Sequence, residues 1–252
     1  MGDPTFSSFY LSGMSVGAKI IYVPLEKYRH DIEGIVNAAK KGAKAIFVDS
    51  PHNPTGTIAT REELEYALGN VPEDTLIVWD EAYGEYAEDG EFPQSISYLE
   101  DHPNLLILRT FSKIYGLAGL RIGYAIADSE IISLLERVRP PFNVNLVAQA
   151  AAAAALDDEE HLRASKEVNR EGRNYLHGEL EKMGFKVVPS QANFVLFRFD
   201  HLTSKLSDRL LSKGVIVRDG TSLGYPGYVR MTVGTPEQNK KVVSVLEKII
   251  NE

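Results

Sequence analysis

Apolar positions in the first half of the chain fall into two alternating patterns. Near-continuous apolar runs occupy residues 18–23, 44–48, 75–79, 105–108 and 121–127. Between two of them apolar residues recur every three or four positions, as in Ile32, Ile35, Val36 and Ala39. Runs of the first kind suit strands covered on both faces, and the second kind suits helices that lay one stripe on them. Thr60-Arg61-Glu62-Glu63 is a capping box that opens a further helix. The predicted fold class is α/β: a mostly parallel sheet with helices on both faces.

The second half changes character. A helical stretch begins near Val144 and contains the alanine run 150–155, which is expected to pack tightly against a neighbour. Residues 157–183 read as a long polar helix crossing between domains. Strands are predicted near 185–188, 193–199, 215–217 and 228–233. Thr235-Pro236-Glu237-Gln238 then caps a last helix with Val242, Val245, Leu246 and Ile249 as its stripe. The expected organisation is a large domain over residues 1–155 and a smaller α/β C-terminal domain over 156–252.

Composition narrows the function classes. The chain has 252 residues, 44% hydrophobic and 25% charged, which is enough to bury a substantial core. Without cysteine it has no disulfide, thiol or thiolate-metal chemistry. The net charge of −8 and the lack of a basic block argue against a nucleic-acid surface. No apolar run approaches the roughly 20 residues that span a bilayer. Met1-Gly2-Asp3-Pro4 lacks the start of a secretory signal, so a cytoplasmic protein without membrane partners is expected. His30, His52, His102, His161, His177 and His201 show no metal-ligand spacing and read mostly as solvated; no metal is expected. No G-x-G-x-x-G or P-loop run is present, and no Ser-His-Asp grouping can be argued.

In sheets of the predicted kind, ligands sit beyond the carboxyl ends of the strands. Asn53, Asp80 and Thr110-Phe111-Ser112-Lys113 all follow such ends. Asn53 belongs to Asn53-Pro54-Thr55-Gly56, Asp80 to Asp80-Glu81-Ala82-Tyr83, and Arg121 lies eight residues beyond Lys113. Those residue types in that order suit one task, holding pyridoxal 5'-phosphate as a Schiff base. Lys113 supplies the amine, and Asp80 faces the pyridine nitrogen and keeps it protonated. Asn53 and Tyr83 reach the ring oxygen, and Arg121 clamps the phosphate. Each residue alone has a plainer reading: a solvated lysine, a helix-capping aspartate, a core tyrosine, an ordinary turn, a structural ion pair. Only the ordered set outweighs these. Arg230, between apolar residues, suits a substrate carboxylate or a buried salt bridge, and Arg218 has Asp219 beside it as an alternative partner. Glu81 is assigned no role.

The chain resembles the fold-type I pyridoxal-phosphate aminotransferases, most closely the histidinol-phosphate branch. The resemblance is carried by Pro51-His52-Asn53-Pro54-Thr55-Gly56, Asp80-Glu81-Ala82-Tyr83 and Arg109-Thr110-Phe111-Ser112-Lys113. Further matches are Gly119-Leu120-Arg121-Ile122-Gly123-Tyr124, Pro141-Phe142-Asn143-Val144-Asn145, Ala192-Asn193-Phe194-Val195 and Val229-Arg230-Met231-Thr232. It implies catalytic roles for Lys113, Asp80 and Tyr83, with Lys113 moving the proton between the substrate Cα and the cofactor. It implies cofactor binding by Phe6, stacked on the ring, by Asn53, Asp80, Tyr83 and Lys113, and by Thr110, Ser112 and Arg121 at the phosphate. Arg230 would take the substrate carboxylate or its equivalent end, and Arg218 the phosphate of histidinol phosphate.

The implied reaction is transamination of histidinol phosphate with 2-oxoglutarate, in histidine biosynthesis. The implied partners are an amino donor, a 2-oxo acid and, in a homodimer, a second copy. The alternatives are an aromatic amino acid aminotransferase and, less favoured, a lyase or decarboxylase on the same fold. Family members carry a substantial segment ahead of the stretch that matches Asp3 to Phe6, and none of it is found here. A truncated, non-catalytic remnant is therefore the rival reading from outside the enzymes.

Overall fold

In the computed structural model, which describes residues 1–199 and 203–251, the chain opens with strand β1 (Gly2–Asp3), helix α1 (Ser7–Ser15) and strand β2 (Val23–Pro24). β1 and β2 pair in parallel, two residues each. The strand expected over 18–23 is thus confined to its last residue. β1 offers Val23 and Pro24 a ladder, and the residues before them have none.

The larger sheet holds β3 (Ala45–Asp49), β4 (Leu76–Asp80), β5 (Leu105–Thr110) and β6 (Gly123–Ala127), in that spatial order. β3, β4 and β5 run parallel, and β6 lies antiparallel at the edge. Helices α2 (Ile32–Ala39) and α3 (Arg61–Asn70) cover one face. Their Ile35, Val36, Leu64 and Ala67 meet Ile46, Val48, Ile77, Trp79, Leu105 and Ile107 in a core from which water is excluded. Each large side chain buried there contributes about 1.5–3 kcal/mol over its exposed state. Phe47 alternates to the opposite face, where Phe9 of α1 packs on it at 5.2 Å between ring centroids. The capping box predicted at Thr60 is formed with Glu63.

The chain then runs through α4 (Ser129–Val138), α5 (Leu146–Leu156) and α6 (Glu159–Lys182). α4 was not singled out by the apolar pattern. Only Ala148 and Ala152 of α5 are buried, so the alanine run does not pack tightly along its length. Alanine's intrinsic preference forms that helix without needing burial. α6 touches the segment after β4 at one side and reaches the second sheet at the other.

That second sheet is antiparallel, ordered β7 (Val187–Val188), β8 (Phe194–Arg198), β10 (Tyr228–Thr232) and β9 (Arg218–Asp219). Helices α7 (Thr203–Ser212) and α8 (Pro236–Asn251) complete it. A second core joins Leu176, Leu180, Val195, Phe197, Leu246 and Ile249. β9 begins at Arg218, directly after the run 215–217 that suggested it. Gly214, at φ +74°, and the bond from Val215 N–H to the Leu210 carbonyl still belong to the end of α7. α8 opens as expected, with Thr235 and Gln238 exchanging backbone-to-side-chain hydrogen bonds at 2.9 and 3.3 Å. Among the described residues no helix is long and apolar enough to cross a membrane.

Candidate active site

A cavity of about 570 Å³ opens where the carboxyl ends of β3 and β4 meet the second sheet. β3 and β4 end on Asp49 and Asp80, which are register partners and sit side by side. The turn after β3 carries Asn53, and the turn after β4 carries Tyr83. Gly56 closes the first turn at φ +80°, and a Cβ there would lie 2.0 Å from Ser190 Oγ, so glycine lets the turn press against the loop before β8.

The second sheet completes the wall. Phe194 of β8 meets the Tyr83 ring edge-on at 5.2 Å. The Arg230 guanidinium, from β10, lies 4.9 Å from the Phe194 ring centre and donates to Asn53 Oδ1. Lys113 Nζ stands 4.9 Å from the centre of the Tyr83 ring, within cation–π range.

Electrostatics single out Asp80. It is buried, and burial, reinforced by the neighbouring Asp49 charge, pushes its carboxyl up to about 7. The Ala82 N–H, 2.8 Å from Asp80 Oδ1, and the Lys113 charge only partly offset this. Among the described residues no cation is paired directly with this carboxyl, and a ring N–H⁺ is one that fits. Arg218 and Arg230 are register partners in β9 and β10. Two like charges opposite each other in a sheet are unfavourable. Among the described residues neither has a carboxylate partner; Arg218 Nε bonds Ser222 Oγ at 3.3 Å. Both face the cavity, which suits it to an anion.

Of the residues expected at the site, Phe6, Asn53, Asp80, Tyr83 and Lys113 line the cavity, together with Arg218 and Arg230. Thr110, Ser112 and Arg121 are not among the lining residues. Thr110 Oγ1 accepts the Ser112 N–H at 3.0 Å, beside the cavity lysine in sequence. Arg121 does not open a strand as expected. It sits in left-handed backbone at φ 57° before β6, exposed, with Nη1 donating to the Ala118 carbonyl at 2.8 Å.

Glu81, without an assigned role, is fully buried and paired with Arg109 at 2.8 Å, so it is a structural ion pair. His30 and His52 are buried, not solvated. With Asp49 they place three ligand-type atoms within 4.8 Å of one another. These atoms are already engaged: His30 Nε2 donates to Asp49, and His52 donates from Nε2 to the Pro4 carbonyl at 3.0 Å. The free Nδ1 of His30 faces Gly2 instead, so the trio reads as a hydrogen-bonded network and not as a metal centre. Asp49 was missed although it ends a buried strand as Asp80 does; His30 gave no signal.

Residues 1–246 match the family described as aminotransferase class I and II. The chain belongs to that family. It is 47% identical to the histidinol-phosphate aminotransferase of Brevibacillus brevis, over 99% of this chain and 69% of that protein. It is 45% identical to the enzyme of the same name from Moorella thermoacetica, over 99% of this chain and 65% of that protein. A crystal structure of histidinol-phosphate aminotransferase from Sinorhizobium meliloti, in complex with pyridoxal-5'-phosphate, superposes with a TM-score of 0.91 at 29% identity. That likeness covers 98% of this chain and 69% of the other. The chain thus spans about two thirds of the length of these aminotransferases.

Proposed function

We propose that this chain carries the active site of a pyridoxal-5'-phosphate-dependent aminotransferase acting on histidinol phosphate, with 2-oxoglutarate as acceptor. The reading rests above all on one juxtaposition. A buried carboxyl that lacks a cation, a lysine and two arginines without carboxylate partners share a single cavity. The names of the relatives support the substrate.

In this reading Asp80 holds the ring nitrogen protonated, and Asn53 and Tyr83 hold the ring oxygen. Phe6 lies against the ring, and Thr110, Ser112 and Arg121 take the phosphate. The bound cofactor supplies the electron sink that acidifies the substrate Cα–H. Lys113 would hold the cofactor through its amine, and its Nζ, freed for the substrate, would take the Cα proton and return it. Arg230 orients the donor through its anionic end, and Arg218 takes its phosphate.

The test is visible absorption of the purified chain after addition of pyridoxal 5'-phosphate, beside Lys113→Ala. A band that depends on Lys113 and changes with histidinol phosphate is expected. A chain that is folded by circular dichroism and gives no band would overturn the reading in favour of a non-catalytic remnant.

The chain is further read as one subunit of a homodimer. Val138, Phe142, Leu146 and Val147 expose 78, 100, 78 and 69% of their surface around the start of α5, a cluster of apolar residues unusual on a lone subunit. Sedimentation velocity should give twice the mass of the chain, and Phe142→Glu should shift it toward the monomer. A parent chain that stays monomeric at micromolar concentration would refute the dimer.

A further inference from the structure

The buried carboxylate of Asp49 is a hub that the proposed chemistry leaves unused. Its Oδ1 accepts from Thr5 Oγ1 at 2.8 Å and from His30 Nε2 at 2.9 Å, and its Oδ2 accepts from the Asn53 N–H at 2.7 Å. These donors come from three separate segments, and two of them lead directly into the cavity. Thr5 precedes Phe6, and Asn53 is the residue that Arg230 bonds. Asp49 itself is 4% exposed, lines the same cavity and is the register partner of Asp80.

From this geometry we infer that Asp49 is a positioning residue for the cofactor: its carboxylate ties the Thr5-Phe6 segment and the Asn53 turn to the end of β3, and its charge beside Asp80 makes the site select a cationic ring N–H. The inference rests on the cofactor reading given above.

The physical argument is a division of charge. Two neighbouring buried carboxyls do not both ionise cheaply, so the better hydrogen-bonded one keeps its charge and the other takes the penalty. Among the described residues Asp49 holds three hydrogen bonds, whereas Asp80 accepts a single one. Burial works against the Asp49 charge, but the two histidines and the Asn53 N–H outweigh it and hold the carboxyl down at about 2. The His52 charge contributes only at low pH, because burial drives His52 to about 4 and leaves it neutral at pH 7, where the hydrogen bonds from Thr5, His30 and Asn53 hold the Asp49 charge. The groups facing the pair are Glu81 and Lys113 around Asp80, and His30, His52 and Tyr225 around Asp49. A cation at Asp80 gains from both carboxylates; a neutral ring gains from neither.

Two measurements test this, and the first needs no cofactor. In the cofactor-free chain labelled with 13C-aspartate, the Asp80 carboxyl should titrate near 7 and fall by at least about one unit in Asp49→Asn. Should that variant not fold, Asp49→Ser, which removes the same charge in a smaller side chain, should lower the Asp80 midpoint likewise. An unchanged midpoint in a folded variant overturns the inference, whatever the cofactor does. The second measurement compares the affinity of the parent chain and Asp49→Asn for pyridoxal 5'-phosphate and for its 1-deaza analogue, which has carbon in place of the ring nitrogen. Asp49→Asn should weaken pyridoxal phosphate at least tenfold more than the analogue, while Phe6→Leu should weaken both alike. Equal losses in Asp49→Asn would reduce Asp49 to a packing residue. A parent chain that binds neither compound would defeat the proposed function, leaving the first measurement to decide the Asp49–Asp80 coupling.

Discussion

Replacing Asp80 with asparagine is expected to slow transamination by about 10²–10³-fold while making the cofactor-free chain more stable at neutral pH. The two effects have one origin. The folded carboxyl sits at about 7, against an ordinary value of 3.8. A carboxyl raised in the folded state stays protonated there while the unfolded chain ionises. Its contribution to stability is therefore intact below about pH 4 and is lost as pH rises through 7. Three units correspond to at most about 4 kcal/mol. The amide cannot ionise, so Asp80→Asn and the parent should unfold at similar urea concentrations at pH 4 and diverge by pH 8, with the variant ahead. Without a carboxylate, however, the ring nitrogen loses the counter-charge that keeps it protonated, and turnover falls. A variant that is less stable than the parent at pH 8 would contradict the electrostatic picture.

The second large effect separates the two arginines. Arg230→Ala is expected to lower kcat/KM for every amino donor on the order of 10²-fold, because charge-assisted hydrogen bonds to an anion contribute about 1.5–3 kcal/mol each. Arg218→Ala is expected to hurt only phosphorylated donors. It should weaken histidinol phosphate by a similar factor and leave an unphosphorylated aromatic donor within about threefold of the parent. The comparison is steady-state kinetics with the two donors on each variant. Equal losses across both donors in Arg218→Ala would remove its phosphate role, and would favour an enzyme of aromatic amino acids.

Much of this site could be read from the chain because its residues lie where strand ends can be recognised. Asp80 closes a run of four apolar residues, Leu76 to Trp79, and Asn53 sits in a turn whose composition announces it. The strand ends of a parallel sheet converge, so residues far apart in sequence meet without any local signal being needed. Other features depend on long-range partners. β2 shrank to two residues because its ladder is set by β1, and β9 was displaced because Gly214 prolongs the end of α7. Arg121 lies in a left-handed conformation that no apolar pattern encodes. Asp49 and Asp80 end their strands alike, and what separates them is the donors each one meets, Thr5 and His30 in one case and little in the other. Hydrogen-bond partners brought together by folding set the state of a buried charge.

The bond between Arg230 and Asn53 spans 177 positions of the chain. Closing so long a loop costs more entropy than forming the local contacts within either sheet. During synthesis, a nascent chain that has exposed its first sheet but not yet β10 has Lys113 and Asp80 without the cavity wall that carries Arg230. On the proposed role of Arg230, substrate recognition is then completed only when β10, just ahead of α8, has left the ribosome.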